Sequence, residues 1–351
     1  MKAIFDVGHP AHVHLFKNTI RNLIKCGWNV KVLARPKEIT LELLNSYGFD
    51  YQVLRHYNHL VSKAIGVILI DIEYLRIAHR FDPDILVSVG SPYSAHISAI
   101  LRIPHIPFID TAARRKTLYY LSYHAVLKKL TKVICTPDAY PPIFGKNQQI
   151  KYKGYHELAY LHPNYFTPDA SVLGEIGLTQ RDEFIIMRFA SLDAVHDIHQ
   201  RGFNNTSERI QFVRKLAEYC RVFVTSERPI PELKEYEIPI SSHKIHDLLA
   251  FATMYIGEGA TMASEAGVLG VPWIFIYSNT LPYLDDQENN YGLGFSLQNA
   301  STAFEICLNL LNRKNLKQEW LKKRDQLLKD KIDVTNFMTN LIKTYSNPST
   351  Q

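Results

Sequence analysis

Short apolar blocks alternate with amphipathic stretches along this chain. Lys2–Val7, Trp28–Ala34, Ile85–Val89, Ile106–Ile109 and Lys132–Cys135 read as strands. Between them, His14–Cys26 has helical spacing through Leu15, Ile20, Leu23 and Ile24, and it ends near Gly27. Ile39–Tyr47 is a second helix, stopped by Gly48, and Ala95–Leu101 is a third. Strands that are apolar throughout and separated by helices predict a parallel sheet covered on both faces. The segment 153–169, rich in proline and aromatics, breaks this rhythm and reads as an ordered, extended connection. The alternation then resumes. Phe184–Phe189 and Val222–Thr225 are strands; Ser207–Tyr219, Lys244–Ala252, Thr302–Leu311 and Leu316–Asp330 are helices. The predicted organisation is an α/β chain of two domains, 1–160 and 161–330. A C-terminal segment, 331–351, would return to the first domain, with a disordered tail from Ser346.

One stretch carries more chemistry than the rest. Ile256–Phe275 reads as strand, tight glycine loop, short helix, glycine stop and strand. Gly257 and Gly259 allow a sharp turn and a close approach to a ligand. A helix beginning at Ala260 or Thr261 aims its unpaired N–H groups and positive dipole end at that loop, which is phosphate-binding geometry. Glu265 lies about one turn further in, where a carboxylate can accept ribose hydroxyls. Its plain alternative is a helix-surface carboxylate. The small and apolar neighbours make an unpaired charge costly there, which favours a ligand. Gly270 and Pro272 end the helix and open the next strand.

Composition narrows the class. The 351 residues are 46% apolar and 21% charged, as in soluble globular proteins. No apolar run reaches membrane-spanning length. The N-terminus reads as a first strand, because Asp6 interrupts an apolar run too short for a signal peptide. Cys26, Cys135, Cys220 and Cys307 are scattered, so disulfides and a zinc site are not expected and a reducing cytoplasm fits. Charge is uneven. Residues 1–150 carry 19 Lys and Arg against 10 Asp and Glu; the remainder carry 21 against 24. A basic first half suits an anionic partner, although solubility alone also accounts for it.

His9, His12 and His14 stand at i, i+3 and i+5, but no carboxylate or cysteine set with zinc-like spacing accompanies them, so no metal is expected. Asp82-Pro83-Asp84 reads as a turn before a strand. Arg114-Arg115-Lys116 precedes aromatic residues through Tyr123, with Lys128, Lys129 and Lys132 beyond. That arrangement is a solvated helix face or a membrane-surface contact, with nucleic acid less favoured.

The two α/β halves and the late glycine–helix–glutamate motif resemble the GT-B superfamily. That group holds nucleotide-sugar glycosyltransferases and hydrolysing UDP-N-acetylglucosamine 2-epimerases. More closely, the chain is similar to a family within it, domain of unknown function 354. The segments carrying this likeness are 10–17, Gly90-Ser91-Pro92-Tyr93, 153–163, Arg188-Phe189 and Thr261–Ala266, and it covers nearly the whole chain. The resemblance implies two Rossmann-like parallel-sheet domains facing across a cleft. It implies that the second domain holds the donor: Glu265 on the ribose, and Gly257, Gly259, Ala260 and Thr261 at the diphosphate with Ser264 close by. Arg188, after a buried strand, would bind the pyrophosphate bidentately. The base would meet backbone near Ile240–Ile245, and Gln287 and Asn290, read as part of a polar loop after the Trp273–Tyr277 strand, would contact the sugar. On the first domain, Gly8, Gly90 and Ser91 would line the cleft, and Asp110 would face it as a catalytic carboxylate. His12 or His14 would be the general base for an acceptor hydroxyl.

The chain departs from the family at Ala112-Ala113, where a glutamate commonly follows Asp110-Thr111. That weakens the epimerase reading, since those enzymes depend on several carboxylates. The expected function is transfer of a sugar from a nucleotide donor, UDP-linked by expectation, to a glycan or lipid-linked acceptor, as in cell-surface polysaccharide synthesis. No cofactor or metal is expected. The expected location is cytoplasmic, with a peripheral membrane contact. A hydrolysing 2-epimerase and a non-catalytic nucleotide-sugar or polyanion binder are the alternatives.

Overall fold

The computed structural model describes residues 1–55, 60–110, 118–190, 202–278 and 281–347; the side chains of 60–65 and 118–123 are outside the description. The Arg114–Lys116 cluster and Thr111–Ala113 therefore lie outside the described residues. The chain divides into two compact units. One is Met1–Tyr160 with Ile332–Gln351; the other is Leu161–Lys331.

The first unit runs β1 (Lys2–Val7), α1 (Pro10–Lys25), β2 (Asn29–Ala34), α2 (Thr40–Ser46), β3 (Tyr51–Val53) and α3 (Leu60–Phe81). It continues through β4 (Ile85–Ser88), α4 (Pro92–Leu101), β5 (His105–Pro107), α5 (Leu118–Leu130), β6 (Ile134–Pro137), β7 (Gln149–Tyr152) and α6 (Leu158–Leu161). Five strands form a parallel sheet in the order β3-β2-β1-β4-β5. β6 and β7 form a parallel pair, joined to β5's far end by the Phe108–Cys135 bridge. Ile4, Leu33, Leu86 and Ile97 pack with Tyr74 and Ala78 of α3 in a fully buried core.

The second unit holds α7 (Ser171–Glu175), β8 (Phe184–Phe189), α8 (Thr206–Ala217), β9 (Arg221–Ser226), α9 (Ile245–Phe251) and β10 (Met254–Gly257). Then come α10 (Ala260–Leu269), β11 (Trp273–Ile276), α11 (Pro282–Tyr291), β12 (Gly294–Leu297), α12 (Ala300–Leu311) and α13 (Leu316–Asp330). Its sheet is also parallel, in the order β12-β11-β10-β8-β9. The last helix, α14 (Val334–Tyr345), belongs to the first unit and buries Val334, Met338 and Ile342 there. Thr335 Oγ1 of α14 and Asn18 Nδ2 of α1 both donate to the Ala159 carbonyl, at 2.6 and 2.9 Å.

Strand order fixes where ligands can sit. In each unit the sheet grows first to one side and then to the other. The reversal falls between β1 and β4 in the first unit and between β8 and β10 in the second. Loops beyond the carboxyl ends of those strands flank a crevice, the usual ligand position in open α/β sheets. They are Gly8–His9 and Val89–Ser91 in the first unit, and Ala190 and Glu258–Gly259 in the second.

Three sequence expectations change. α1 starts at Pro10 rather than His14, because the His9 side chain caps it and Pro10 sits in its first turn. Residues 153–169 are not wholly extended: Tyr155–Leu161 are buried and end in α6. Ser346 is not disordered; it is 3% exposed and caps α14, while residues 348–351 lie outside the description.

If α14 completes the first unit's core, Met338→Ala should cost about 2–5 kcal/mol. Thermal unfolding should show a clear drop in Tm, with the exposed Asn340→Ala as an unchanged control.

Candidate functional site

The second unit's glycine loop is built by close packing. β8 and β10 run in register with Arg188 opposite Gly257. A Cβ on Gly257 would lie 2.2 Å from the Arg188 carbonyl oxygen, and one on Gly259 would lie 2.8 Å from Arg188 Cδ. Neither glycine has a positive φ. They are required by this close approach of Arg188 and not by a left-handed conformation. The Glu258 N–H donates to the Arg188 carbonyl at 2.9 Å. The Gly259 N–H donates to the buried Tyr255 hydroxyl at 3.2 Å, and that hydroxyl donates to the Gly259 carbonyl at 2.9 Å. The loop is thereby held rigid.

α10 begins at Ala260, with Gly259 in the cap position and no side-chain cap. The N–H groups of Ala260, Thr261 and Met262 have no acceptor within the helix, the arrangement that binds phosphate oxygens. Gly270, at φ 78°, ends the helix in the left-handed conformation that only glycine adopts freely.

Glu265 is not on the helix surface. It is 5% exposed, and its Oε1 lies 2.9 Å from Nε2 of His246 on α9. His246, also buried, was not singled out from sequence; a polar residue inside the amphipathic 244–252 helix was the available signal. α9 follows directly on a 3₁₀ turn over Ser242–Lys244. The loop expected to meet a base is therefore next to the carboxylate expected to meet a ribose.

The other donor-side residues divide. Arg188 is a quarter exposed, with Nη1 3.3 Å from Thr225 Oγ1 and Nη2 3.6 Å from Glu227 Oε1. Ser264 and Gln287 are fully buried. The Gln287 amide donates to Ser264 Oγ at 2.8 Å and accepts from Trp273 Nε1 at 3.1 Å. Both groups are used up in packing α10 against α11 and β11, so their expected ligand contacts are corrected. Asn290 lies on the exposed side of α11, 2.6 Å from Asp286 Oδ1. Residues 285–290 form helix, not loop, because Pro282 starts α11 and Gly292 stops it.

Glu258 was also passed over. It is buried and joined to Arg209 at 2.7 Å. Its carboxylate also accepts from the N–H groups of Ala190 and Phe203, at 3.2 and 3.1 Å. Burial pushes its carboxyl up, and the Arg209 charge pulls the other way. Beside this pair a cavity of about 280 Å³ opens at the carboxyl ends of β8 and β9, lined by Phe189, Thr206, Ser226 and Arg228 among others.

In the first unit, the buried Asp6 holds Arg35 at 2.8 Å and accepts from Ser94 Oγ at 3.0 Å. The Arg35 guanidinium lies across Gly8, where a Cβ would be 2.2 Å from it. The Gly8 N–H donates to Nδ1 of His12 at 3.2 Å. Burial first, then the charges of His9 and Arg35, hold His12 well below its ordinary value, while Asp110 pulls it up. His12 is thus neutral near pH 7. With Nδ1 accepting, its proton is on Nε2. A ring in that state donates; it does not take a proton from a hydroxyl. The expectation that His12 is the base is corrected on this point.

His14 is buried between Tyr47, whose hydroxyl is 3.2 Å from its Nδ1, and the Tyr160 ring at 5.3 Å. It serves packing, which corrects its place as an alternative base. Gly90 has φ 55°, so glycine is needed there. Ser91 is 4% exposed and caps α4 by accepting from the Ser94 N–H at 3.4 Å. The Ser91 N–H donates to Ser88 Oγ, which is 2.8 Å from His105 Nε2. Asp110 does not face empty space: its Oδ2 is 3.1 Å from His156 Nδ1. His156 sits inside the 153–163 segment and was not itself picked out from sequence.

Two doubly wound parallel-sheet units of this order define the GT-B fold. S. aureus MnaA in its UDP co-structure superposes with a TM-score of 0.69 at 11% identity, over 98% of this chain and 97% of that one. Spinosyn forosaminyltransferase SpnP gives 0.68 at 13% identity, over 99% and 100%. The chain belongs to the family described as "Protein of unknown function (DUF354)", whose pattern matches residues 1–342. Uncharacterized protein MJ0665 of Methanocaldococcus jannaschii is 23% identical over 290 residues, covering 80% of this chain and 83% of that protein.

The buried His105 yields a pH test. Burial lowers it from 6.5 to about 3. Between those values the unfolded chain binds a proton at this residue and the folded chain does not. Stability therefore falls as pH drops from about 6.5 toward 3. The urea midpoint should fall between pH 7 and pH 5, and His105→Asn should flatten that fall.

Proposed function

We propose that the chain is a nucleotide-sugar-dependent glycosyltransferase that passes a sugar to a glycan or lipid-linked acceptor in cell-surface polysaccharide synthesis. The observation that carries this reading is the buried Glu265 carboxylate, one turn inside a helix whose uncapped N-terminus meets a rigid glycine loop at a sheet's reversal point.

Each part has a physical role. The α10 N–H groups and the Arg188 guanidinium stabilise the charge that develops on the departing diphosphate. Glu265, held by His246, accepts the ribose hydroxyls. The loop around Ser242–Lys244 carries the base, with uracil the expected one; MnaA, of like fold, has been seen with UDP. The nucleotide sugar is a substrate, and the reaction in this reading uses no cofactor and no metal. The first unit supplies the groups that handle the acceptor's proton. Cytoplasmic location with a peripheral membrane contact fits a lipid-linked acceptor. No helix among the described residues is long and apolar enough to cross a membrane.

Calorimetry with UDP-, GDP-, CMP- and dTDP-sugars tests the reading. One class should bind, and Glu265→Gln should weaken it about 10- to 100-fold, the worth of charge-assisted hydrogen bonds lost. A panel with no binder contradicts the proposal. NMR of a bound donor without acceptor separates the 2-epimerase alternative, which predicts release of nucleotide and an inverted sugar.

A further inference from the structure

We propose that His156, oriented by Asp110, is the general base that takes the acceptor's proton. The assignment rests on the transferase reading above and replaces His12 in that role.

The tautomer that each histidine holds decides which ring can accept a proton. An imidazole acts as a base only through a nitrogen that carries a lone pair and is not already hydrogen-bonded. His12 fails on both nitrogens: Nδ1 is taken by the Gly8 N–H, and Nε2 carries the proton. His14 is enclosed by tyrosines. His9 accepts from the Ala11 N–H through Nδ1 and faces Glu38 at 3.5 Å through Nε2. His156 differs from all three. Its Nδ1 lies 3.1 Å from the Asp110 carboxylate, which as an acceptor fixes the proton on Nδ1. The lone pair is then on Nε2. Nε2 is buried, and among the described residues it has no hydrogen-bond partner.

A buried acceptor left unpaired costs about 1–3 kcal/mol. An acceptor hydroxyl donating to Nε2 would remove that cost and place its proton for transfer. Carboxylate, imidazole and hydroxyl then form the same relay of roles that activates hydroxyl nucleophiles elsewhere. Asp110 also stabilises the imidazolium that forms. His156 lies in the same unit as His12 and acts on it electrostatically, as Asp110 does, so the three groups share one neighbourhood. His12, with its proton on Nε2, is a donor in that neighbourhood.

The step balances. The acceptor O–H bond breaks, and its proton passes to His156 Nε2. The acceptor oxygen bonds to the anomeric carbon. The bond from that carbon to the diphosphate oxygen breaks, and its electron pair leaves on the nucleoside diphosphate. The imidazolium later returns its proton to solvent.

Long-range proton–nitrogen NMR on the ¹⁵N-histidine-labelled full chain reads the tautomers directly, with His156→Gln and His12→Gln for assignment. His156 should show a protonated Nδ1 and a bare Nε2; His12 should show the reverse. Asp110→Asn should shift the His156 proton to Nε2, and this variant serves if His156→Gln fails to fold. Turnover is read as nucleoside diphosphate released from whichever panel donor binds, with methanol as acceptor. His156→Gln and Asp110→Asn should each lower the rate at least about 100-fold and leave donor affinity unchanged. Nε2–H on wild-type His156, or variants that keep wild-type turnover, would overturn the proposal while leaving the donor reading intact. If no donor binds, the donor reading falls and this assignment falls with it. A loss of donor affinity in step with rate would mark His156 as structural and also overturn it.

Discussion

The contact between Gly257 and the backbone of Arg188 is the constraint on which the second unit's site depends. The two strands on either side of the reversal point close to a distance that no Cβ permits. That closeness sets where β10 ends and where α10 can begin. Glu258 turns inward to Arg209, Tyr255 closes the loop over Gly259, and α10 points its uncapped end outward. One turn later the helix delivers Glu265 to a buried place beside His246. A larger residue at 257 would have to part the sheet, and every later position in this series would shift with it.

The first unit shows a parallel logic with different chemistry. Gly8 yields space to the Arg35 guanidinium, which Asp6 anchors from inside the sheet. The cation there helps to keep His12 neutral. Ser88, Ser91 and His105 fix the loop after β4. Each unit thus builds a rigid floor of buried hydrogen bonds at the carboxyl edge of its sheet. Such floors hold reactive groups in place without relying on the ligand.

Much of the fold was legible in the sequence, and the reasons are physical. Lys2–Val7, Phe184–Phe189 and Leu316–Asp330 have patterns sharp enough that their ends coincide with the structure. α3 was missed because its apolar residues lie on more than one side; Ile68 and Ile72 are exposed while Ile70 and Tyr74 are buried. α11 was missed because its run of acids and amides resembles a loop. The glycines, Glu265 and Asp110 stood out in the sequence because their residue types have few other uses at such positions, and the structure places them at strand ends or against buried partners. His156, His246 and Glu258 were not, because their meaning lies in a partner far along the chain: Asp110, Glu265 and Arg209 respectively. Gln287 and Ser264 were misread for the same reason, since nothing local shows that their side chains bond to each other.

In the proposed site, Glu265 and the start of α10 receive a nucleoside diphosphate. A crystal structure of the full chain grown with UDP tests it most directly. The account predicts ribose hydroxyls within hydrogen-bond distance of the Glu265 carboxylate and diphosphate oxygens on the N–H groups of Ala260 and Thr261. UDP bound elsewhere, with Glu265 still closed on His246 and no ribose near it, would contradict it.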